Sequence, residues 1–375
     1  MKNAQLKPAV AALSGIALAM SAGGAFADWE VNMPRGVTEI SNTVYDLHML
    51  IFWICVVIGI VVFGAMFYSI VKHRKSRGVQ AAQFHESTTV EILWTLVPFL
   101  ILVGMAIPAT KTLIAMEDTS NADMTIKVTG YQWKWHYDYM DEGIDFFSNL
   151  ATPRAAIENR ADKGEHYLLD VDNPIVVPVN KKIRFLVTAN DVIHAFWVPD
   201  LAMKKDAIPG FVNELWTRID EPGVYRGQCA ELCGKDHGFM PIVVVAMEEN
   251  EYLDWVAEQK AAREAELMAS DKEWGKSDLM ARGEKIYNTN CAACHQANGE
   301  GMGSVFPAIK GSAVATGEIK GHVDLVLNGV PGTAMAAFGP QLSDVDLAAV
   351  ITYQRNAFGN DTGDVIQPTD IKAAR

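Results

Sequence analysis

Two long stretches without a charged residue, set close together near the N-terminus, restrict this chain more than anything else in it. Residues 47–71 and 92–110 contain no Asp, Glu, Lys or Arg. At ~1.5 Å rise per residue, helices of these lengths cross a ~30 Å hydrocarbon core, the first with some tilt and the second just reaching. A buried core helix is the alternative for either run alone, but two so near each other favour a membrane hairpin, with spans at about 47–71 and 92–111. The joining loop opens Lys72-His73-Arg74-Lys75-Ser76-Arg77, and a short basic loop stays on the cytoplasmic side. Both ends then face outward, which exports everything after Lys111. Cys55, inside the first span, reads as inert packing.

The extreme N-terminus agrees. Lys2 and Lys7 precede an apolar run and then small residues ending at Ala27, the form of a cleavable secretory signal that leaves a mature chain starting near Asp28. With 375 residues, half of them hydrophobic, the chain has room for several domains and is not disordered. Its net charge of -13 argues against nucleic acid as a partner and suits a basic protein. Four of the five cysteines form two tight pairs, Cys229/Cys233 and Cys291/Cys294, at ligand or cofactor-attachment spacing rather than in a disulfide framework.

From Met124 to about Met247 short β-branched and aromatic runs alternate with Pro and Gly, notably Pro209-Gly210 and Pro222-Gly223. Strands at this spacing, without helical patterns between them, predict an all-β sandwich or Greek-key barrel. Near its end stands Cys229-Ala-Glu-Leu-Cys233-Gly-Lys-Asp-His237-Gly-Phe-Met240, with His194 on a strand end upstream. Two thiolates, two imidazoles and a thioether form a soft set that selects copper over magnesium or calcium. One copper needs one thiolate, whereas two cysteines four positions apart can place both sulfurs between two metals. Zinc is the rival, because two cysteines and two histidines also form a structural zinc set; Met240 and the export of the domain weigh against it. A Cys229–Cys233 disulfide is the alternative for the pair, against which the histidine and methionine at fixed offsets weigh; His194 alone would read as a core histidine, and its case as a ligand rests on the downstream loop.

The string Cys-x-Glu-x-Cys-Gly-x-x-His-x-x-Met, the upstream His-x-Phe-x-Val-Pro, the membrane hairpin and the cluster Tyr131-Gln-Trp-Lys-Trp-His-Tyr resemble subunit II of cytochrome c oxidase, over roughly Val31 to Trp255. The resemblance implies a cupredoxin-like sandwich holding the binuclear copper centre Cu-A. Its ligands would be His194, Cys229, the backbone carbonyl of Glu231, Cys233, His237 and Met240, and the Glu231 carboxylate would serve a magnesium ion shared with subunit I. It implies further that Trp133 is where an electron from cytochrome c enters, although ordinary sandwich packing also accounts for such a residue. Glu91, just before the second span, matches a glutamate at the mouth of a proton channel; a solvated flank is the alternative.

Residues 248–270 read as a solvated helix acting as a connector. A helical pattern over 278–290 then leads into Cys291-Ala-Ala-Cys294-His295, the C-x-x-C-H signature of covalent haem c, with His295 as proximal ligand. A thioredoxin-like pair would not explain the adjacent histidine. Met335 is the candidate sixth ligand, because methionine opposite histidine raises the haem potential; Met302, seven residues after His295, competes. Residues 277–358 resemble a small class I cytochrome c, which implies Met335 as axial ligand and Pro307 as a haem-packing residue. The final helix, 344–358, is expected against the first, and the tail after Gly359 reads as polar and mobile. His48, His73, His85, His136, His166 and His322 read as surface or packing residues.

The expected order is therefore a signal peptide (1–27), an N-terminal segment and membrane hairpin (28–118), the Cu-A domain (119–250), a helical linker (251–276), an all-α cytochrome c domain (277–359) and a polar tail (360–375). Together the resemblances imply subunit II of a respiratory oxidase with a fused cytochrome c, as in caa3-type oxidases. Such a chain would sit in the bacterial inner membrane with both soluble domains on the periplasmic side. It would deliver electrons to the haem a, haem a3 and copper of subunit I, beside subunit III, where oxygen is reduced and protons are pumped. Its donor would be a cytochrome c or an upstream membrane complex, and it would not be catalytic alone. A membrane-anchored electron-transfer subunit of a nitric oxide or nitrous oxide reductase is the alternative.

Overall fold

The computed structural model describes residues 32–80, 83 and 85–375; the expected signal peptide lies outside them. Helix α1 (Glu39–Lys72) begins at Thr38, whose side chain accepts from the Ser41 N–H while the Ser41 hydroxyl accepts from the Thr38 N–H, a reciprocal cap that fixes the helix start. Helix α2 (Thr88–Glu117) carries Pro98 and Pro108. No residue in the most apolar 18-residue window of either helix is buried. Phe63, Phe67, Trp94, Leu102 and Ile107 are all more than half exposed, so these are not core helices of a soluble fold, and their apolar surface is that of a membrane-spanning pair.

Ten strands follow: β1 (Met124–Tyr131), β2 (Lys134–Tyr139), β3 (Ile144–Ser148), β4 (Ile175–Pro178), β5 (Ile183–Ala189), β6 (His194–Val198), β7 (Met203–Ala207), β8 (Asn213–Thr217), β9 (Gly223–Cys229) and β10 (Pro241–Met247). They form two five-stranded sheets, ordered β3-β2-β1-β5-β8 and β4-β10-β9-β6-β7. The sheets are mixed, since β1 runs parallel to β5 and β10 parallel to β4. Strand β5 alternates buried and half-buried residues, the period of a sheet with one face toward the core. Trp135, Tyr137, Tyr139, Phe185 and Phe196 fill the space between the sheets.

Helix α3 (Glu249–Ala269) departs from the solvated connector expected at 248–270. Tyr252 and Val256 are buried in the sandwich core and Trp255 packs on Tyr139 with ring centroids 5.3 Å apart, so its first turns belong to the β domain. Further along, Glu266 pairs with Arg282 at 2.7 Å and accepts from Ser343 at 2.6 Å.

The C-terminal region contains α4 (Lys276–Asn290), the single turn α5 (Ala292–His295), α6 (Ile319–Asn328), α7 (Asp344–Asn356) and α8 (Pro368–Ala374). Helices α4 and α7 cross at Gly283, where a Cβ would stand 2.1 Å from the Ala349 carbonyl oxygen; only a residue without a side chain permits that approach. The tail differs from the mobile segment expected after Gly359. Ile366 and Ile371 are buried, Gln367 both accepts from the Trp274 N–H and donates to its carbonyl, and Arg355 is paired with Asp364.

Candidate metal centre and haem cavity

The cysteine-rich loop joins β9 to β10 at one end of the sandwich. Antiparallel pairing of β6 with β9 sets Phe196 opposite Cys229, which brings His194, the first residue of β6, to the same end as the loop. Cys229 Sγ lies 3.8 Å from Cys233 Sγ, 3.9 Å from His194 Nδ1 and 3.3 Å from the Glu231 carbonyl oxygen. Cys233 Sγ lies 3.5 Å from His237 Nδ1 and 3.6 Å from Met240 Sδ. The six expected donors therefore converge on one small volume, with each sulfur next to one imidazole. His194, Cys229, Cys233 and Met240 are buried and His237 is half-buried. This soft, nearly symmetric donor set fits a pair of copper ions bridged by sulfur.

Backbone and side chains around the loop hold this geometry. The Gly130 Cα faces the His194 ring so closely that a Cβ would sit 2.8 Å from Cδ2. Trp135 donates its indole N–H to the Met240 carbonyl at 3.2 Å, and Gln132 and Trp133 both donate to the Cys233 carbonyl, at 2.8 and 3.2 Å. Asp191 Oδ1 lies 2.9 Å from His194 Nε2, which leaves Nδ1 toward the sulfur and fixes the tautomer, as carboxylates do for metal-binding imidazoles. Burial pulls the His194 pKa down, but the hydrogen bonds to Asp191 and Cys229 outweigh it and the net shift is upward. Contact with Cys233 pulls the Cys229 thiol well below its ordinary range, while contact with Cys229 and burial push the Cys233 thiol up. The sequence reading missed Asp191 and Gln132; the Asp-x-x-His spacing is the one signal that pointed to the first.

In the helical domain a cavity of about 340 Å³ with a mostly apolar lining is bounded by Cys291, Cys294 and His295 on one side and by Pro307 and Met335 among the other walls. His295 Nδ1 lies 2.7 Å from the Pro307 carbonyl oxygen, so the ring donates there and keeps Nε2 for an iron ligand. Met302 does not line the cavity; its N–H is tied to the Phe306 carbonyl at 2.7 Å. An apolar slot beside two cysteines and an oriented imidazole fits a covalently attached haem. His322, read from sequence as bland, lines this cavity: it is buried, its Nε2 is 2.8 Å from Gln354 Oε1, and its Nδ1 has no partner among the described residues. Glu91 lies in the exposed first turn of α2 and is not part of either cluster, and Glu231, within the cysteine-rich loop, is exposed.

Comparison with known proteins bears on the same segments. The family described as cytochrome c oxidase subunit II, transmembrane domain, matches residues 27–112, and its periplasmic domain matches residues 124–247. The family described as cytochrome c oxidase, cbb3-type, subunit III matches residues 278–353. A probable cytochrome c oxidase subunit 2 from Rickettsia bellii is 40% identical over 61% of this chain and 84% of its own length, and cytochrome c oxidase subunit 2 of Cyanidium caldarium is 38% identical over 61% and 90%. The solved periplasmic domain of subunit II of cytochrome oxidase from Bradyrhizobium japonicum is 46% identical and covers 38% of this chain and 98% of its own, with a TM-score of 0.35. Copper of the Cu-A type and a c-type haem are the cofactors these domains imply, and a chain with this hairpin, sandwich and C-terminal haem domain belongs to the cytochrome c oxidase subunit II family, a subunit of the oxygen-reducing oxidase.

Proposed function

We propose that this chain carries electrons from its own covalent haem c, through a binuclear copper centre, to the haem-copper site of subunit I, where oxygen is reduced to water and protons are pumped. The observation that carries the reading is the pairing of each buried sulfur with its own imidazole, Cys229 with His194 and Cys233 with His237. His194, Cys229, the Glu231 carbonyl, Cys233, His237 and Met240 would hold the coppers, which supply a one-electron relay. Cys291 and Cys294 would fix the haem, and His295 and Met335 would bind its iron. Asp191 orients His194, and Pro307 orients His295.

Other assignments complete the reading. The exposed Glu231 carboxylate would serve a magnesium ion shared with subunit I, and Glu91, in the exposed first turn of α2, would stand at the mouth of a proton channel. Trp133, bonded to the Cys233 carbonyl, is the aromatic through which an electron would reach the copper loop. Both soluble domains stand on the periplasmic side of a bacterial inner membrane. Subunits I and III are the partners within the complex, and a cytochrome c or an upstream membrane complex is the donor.

The test is metal analysis with optical and EPR spectra of the purified complex, together with oxygen uptake. The expected result is two coppers at the loop with a mixed-valence signal, a low-spin c-type haem band and oxygen consumption. Zinc, or a single metal ion, at the loop would overturn it.

A further inference from the structure

Two lysines of the copper domain reach the cysteine-bearing turn of the haem domain. Lys134, the first residue of β2, donates from Nζ to Asn290 Oδ1 at 2.9 Å. Its ammonium also lies 4.5 Å from the Phe147 ring in the copper domain and 5.6 Å from the Phe338 ring in the haem domain. Asn290 and Phe338 both line the haem cavity, one adjoining Cys291 and the other three residues beyond Met335. Lys235, two residues after Cys233, donates from Nζ to the Ala293 carbonyl at 2.8 Å, and Ala293 lies between the two haem-attachment cysteines. Lys134 is only 7% exposed, which is rare for a lysine and requires that its head group be matched on several sides. Burial pulls its amine down to about 8.

These contacts bracket Trp133. It precedes Lys134 in the chain, it donates to the Cys233 carbonyl, and its ring lies close enough to Gly234 that a Cβ there would be 3.1 Å from Cζ2. The residues on both sides of it, Lys134 in sequence and Lys235 in space, are bound to the haem domain.

We infer that Lys134 and Lys235 are positioning residues which hold the haem domain docked on the copper loop, so that it is a resident donor covering the Trp133 approach, and an external reductant reaches the copper centre through the haem rather than directly. This rests on the proposed electron-transfer function. A tether alone gives only a high effective concentration and leaves each transfer to a search by the domain; two clamps on the cysteine turn remove the search.

Amine-reactive labelling of the intact complex, read by mass spectrometry, tests the dock without any variant. Lys134 is expected to label at least ~10-fold more slowly than Lys320, whose side chain on α6 is 82% exposed beside Asp324, and Lys235→Gln, an exposed surface change, is expected to raise Lys134 labelling. Labelling of Lys134 at the Lys320 rate overturns the inference. Rapid mixing with a reduced soluble cytochrome c then follows haem and copper absorbance separately. In the unmodified complex copper reduction should follow haem reduction; in Lys235→Gln and in Lys134→Met the haem-to-copper step should slow at least ~10-fold and become sensitive to solvent viscosity, with both cofactor spectra unchanged. An unchanged internal rate in both variants overturns the docking role while leaving the function intact. Haem that is reduced with copper never following in the unmodified complex would instead overturn the proposed function.

Discussion

Cys229 Sγ stands 3.8 Å from Cys233 Sγ, with both side chains buried at one end of the sandwich. The separation is well beyond the ~2.05 Å of a disulfide and suits sulfurs that share metal ions between them. Cys233→Ser preserves shape and removes one thiolate. The copper content is expected to fall from two ions per chain to at most one, with loss of the mixed-valence signal, as measured by quantitative metal analysis and EPR. Retention of both coppers in this variant would sink the ligand assignment.

Asp191 is bonded to His194 Nε2 at 2.9 Å, and through that imidazole it would act on a bound metal. In Asp191→Asn the charge that favours the Nδ1-directed tautomer is gone while the volume stays. Copper affinity is expected to drop about 10- to 100-fold, in the range found for partners of metal-binding imidazoles, with thermal unfolding nearly unchanged. Chelator competition measures the first quantity, and an affinity equal to that of the unmodified protein would show that the Asp191–His194 bond has no part in holding the metal.

The two methionines near the haem separate cleanly. Met335 lines the cavity and Met302 does not. Met335→Leu should lower the haem potential and alter the low-spin spectrum, because the thioether raises the potential of a histidine-ligated haem; Met302→Leu should leave both as they are. A redox titration that found the reverse would exchange their roles.

His322 gives the haem domain a pH dependence whose sign follows from its environment. Burial holds its pKa down to about 4, against an opposing hydrogen bond with Gln354, whereas an unfolded histidine titrates near ~6.5. Between those values the unfolded chain binds the extra proton, so stability is complete above ~6.5 and is lost as pH falls toward 4, by at most about 3 kcal/mol. Urea titrations at pH 7 and pH 5, followed by haem absorbance, should show the loss, and His322→Leu should flatten it. An equal slope in the two proteins would assign the effect to other groups.

The sequence by itself determined the features that depend on neighbours along the chain. An uncharged run long enough to span a bilayer, a C-x-x-C-H turn and a Cys-x-x-x-Cys loop followed by His and Met each carry their meaning within about two dozen residues, because hydropathy and ligand spacing are local properties. Tertiary structure decided the rest. The solvated appearance of 248–270 hid Tyr252 and Val256, which are core in the sandwich, and Trp255, which packs against it on Tyr139 and Phe146. The tail after Gly359 looked mobile because two isoleucines are a weak signal until α7 and Trp274 supply partners. Which methionine faces the haem cavity, which carboxylate steadies His194 and where Lys134 puts its charge all depend on segments far apart in sequence brought within hydrogen-bonding or packing distance. Lys134 and Asn290 are separated by 156 positions; no local pattern encodes such a contact, since it exists only when two independently patterned domains are packed face to face.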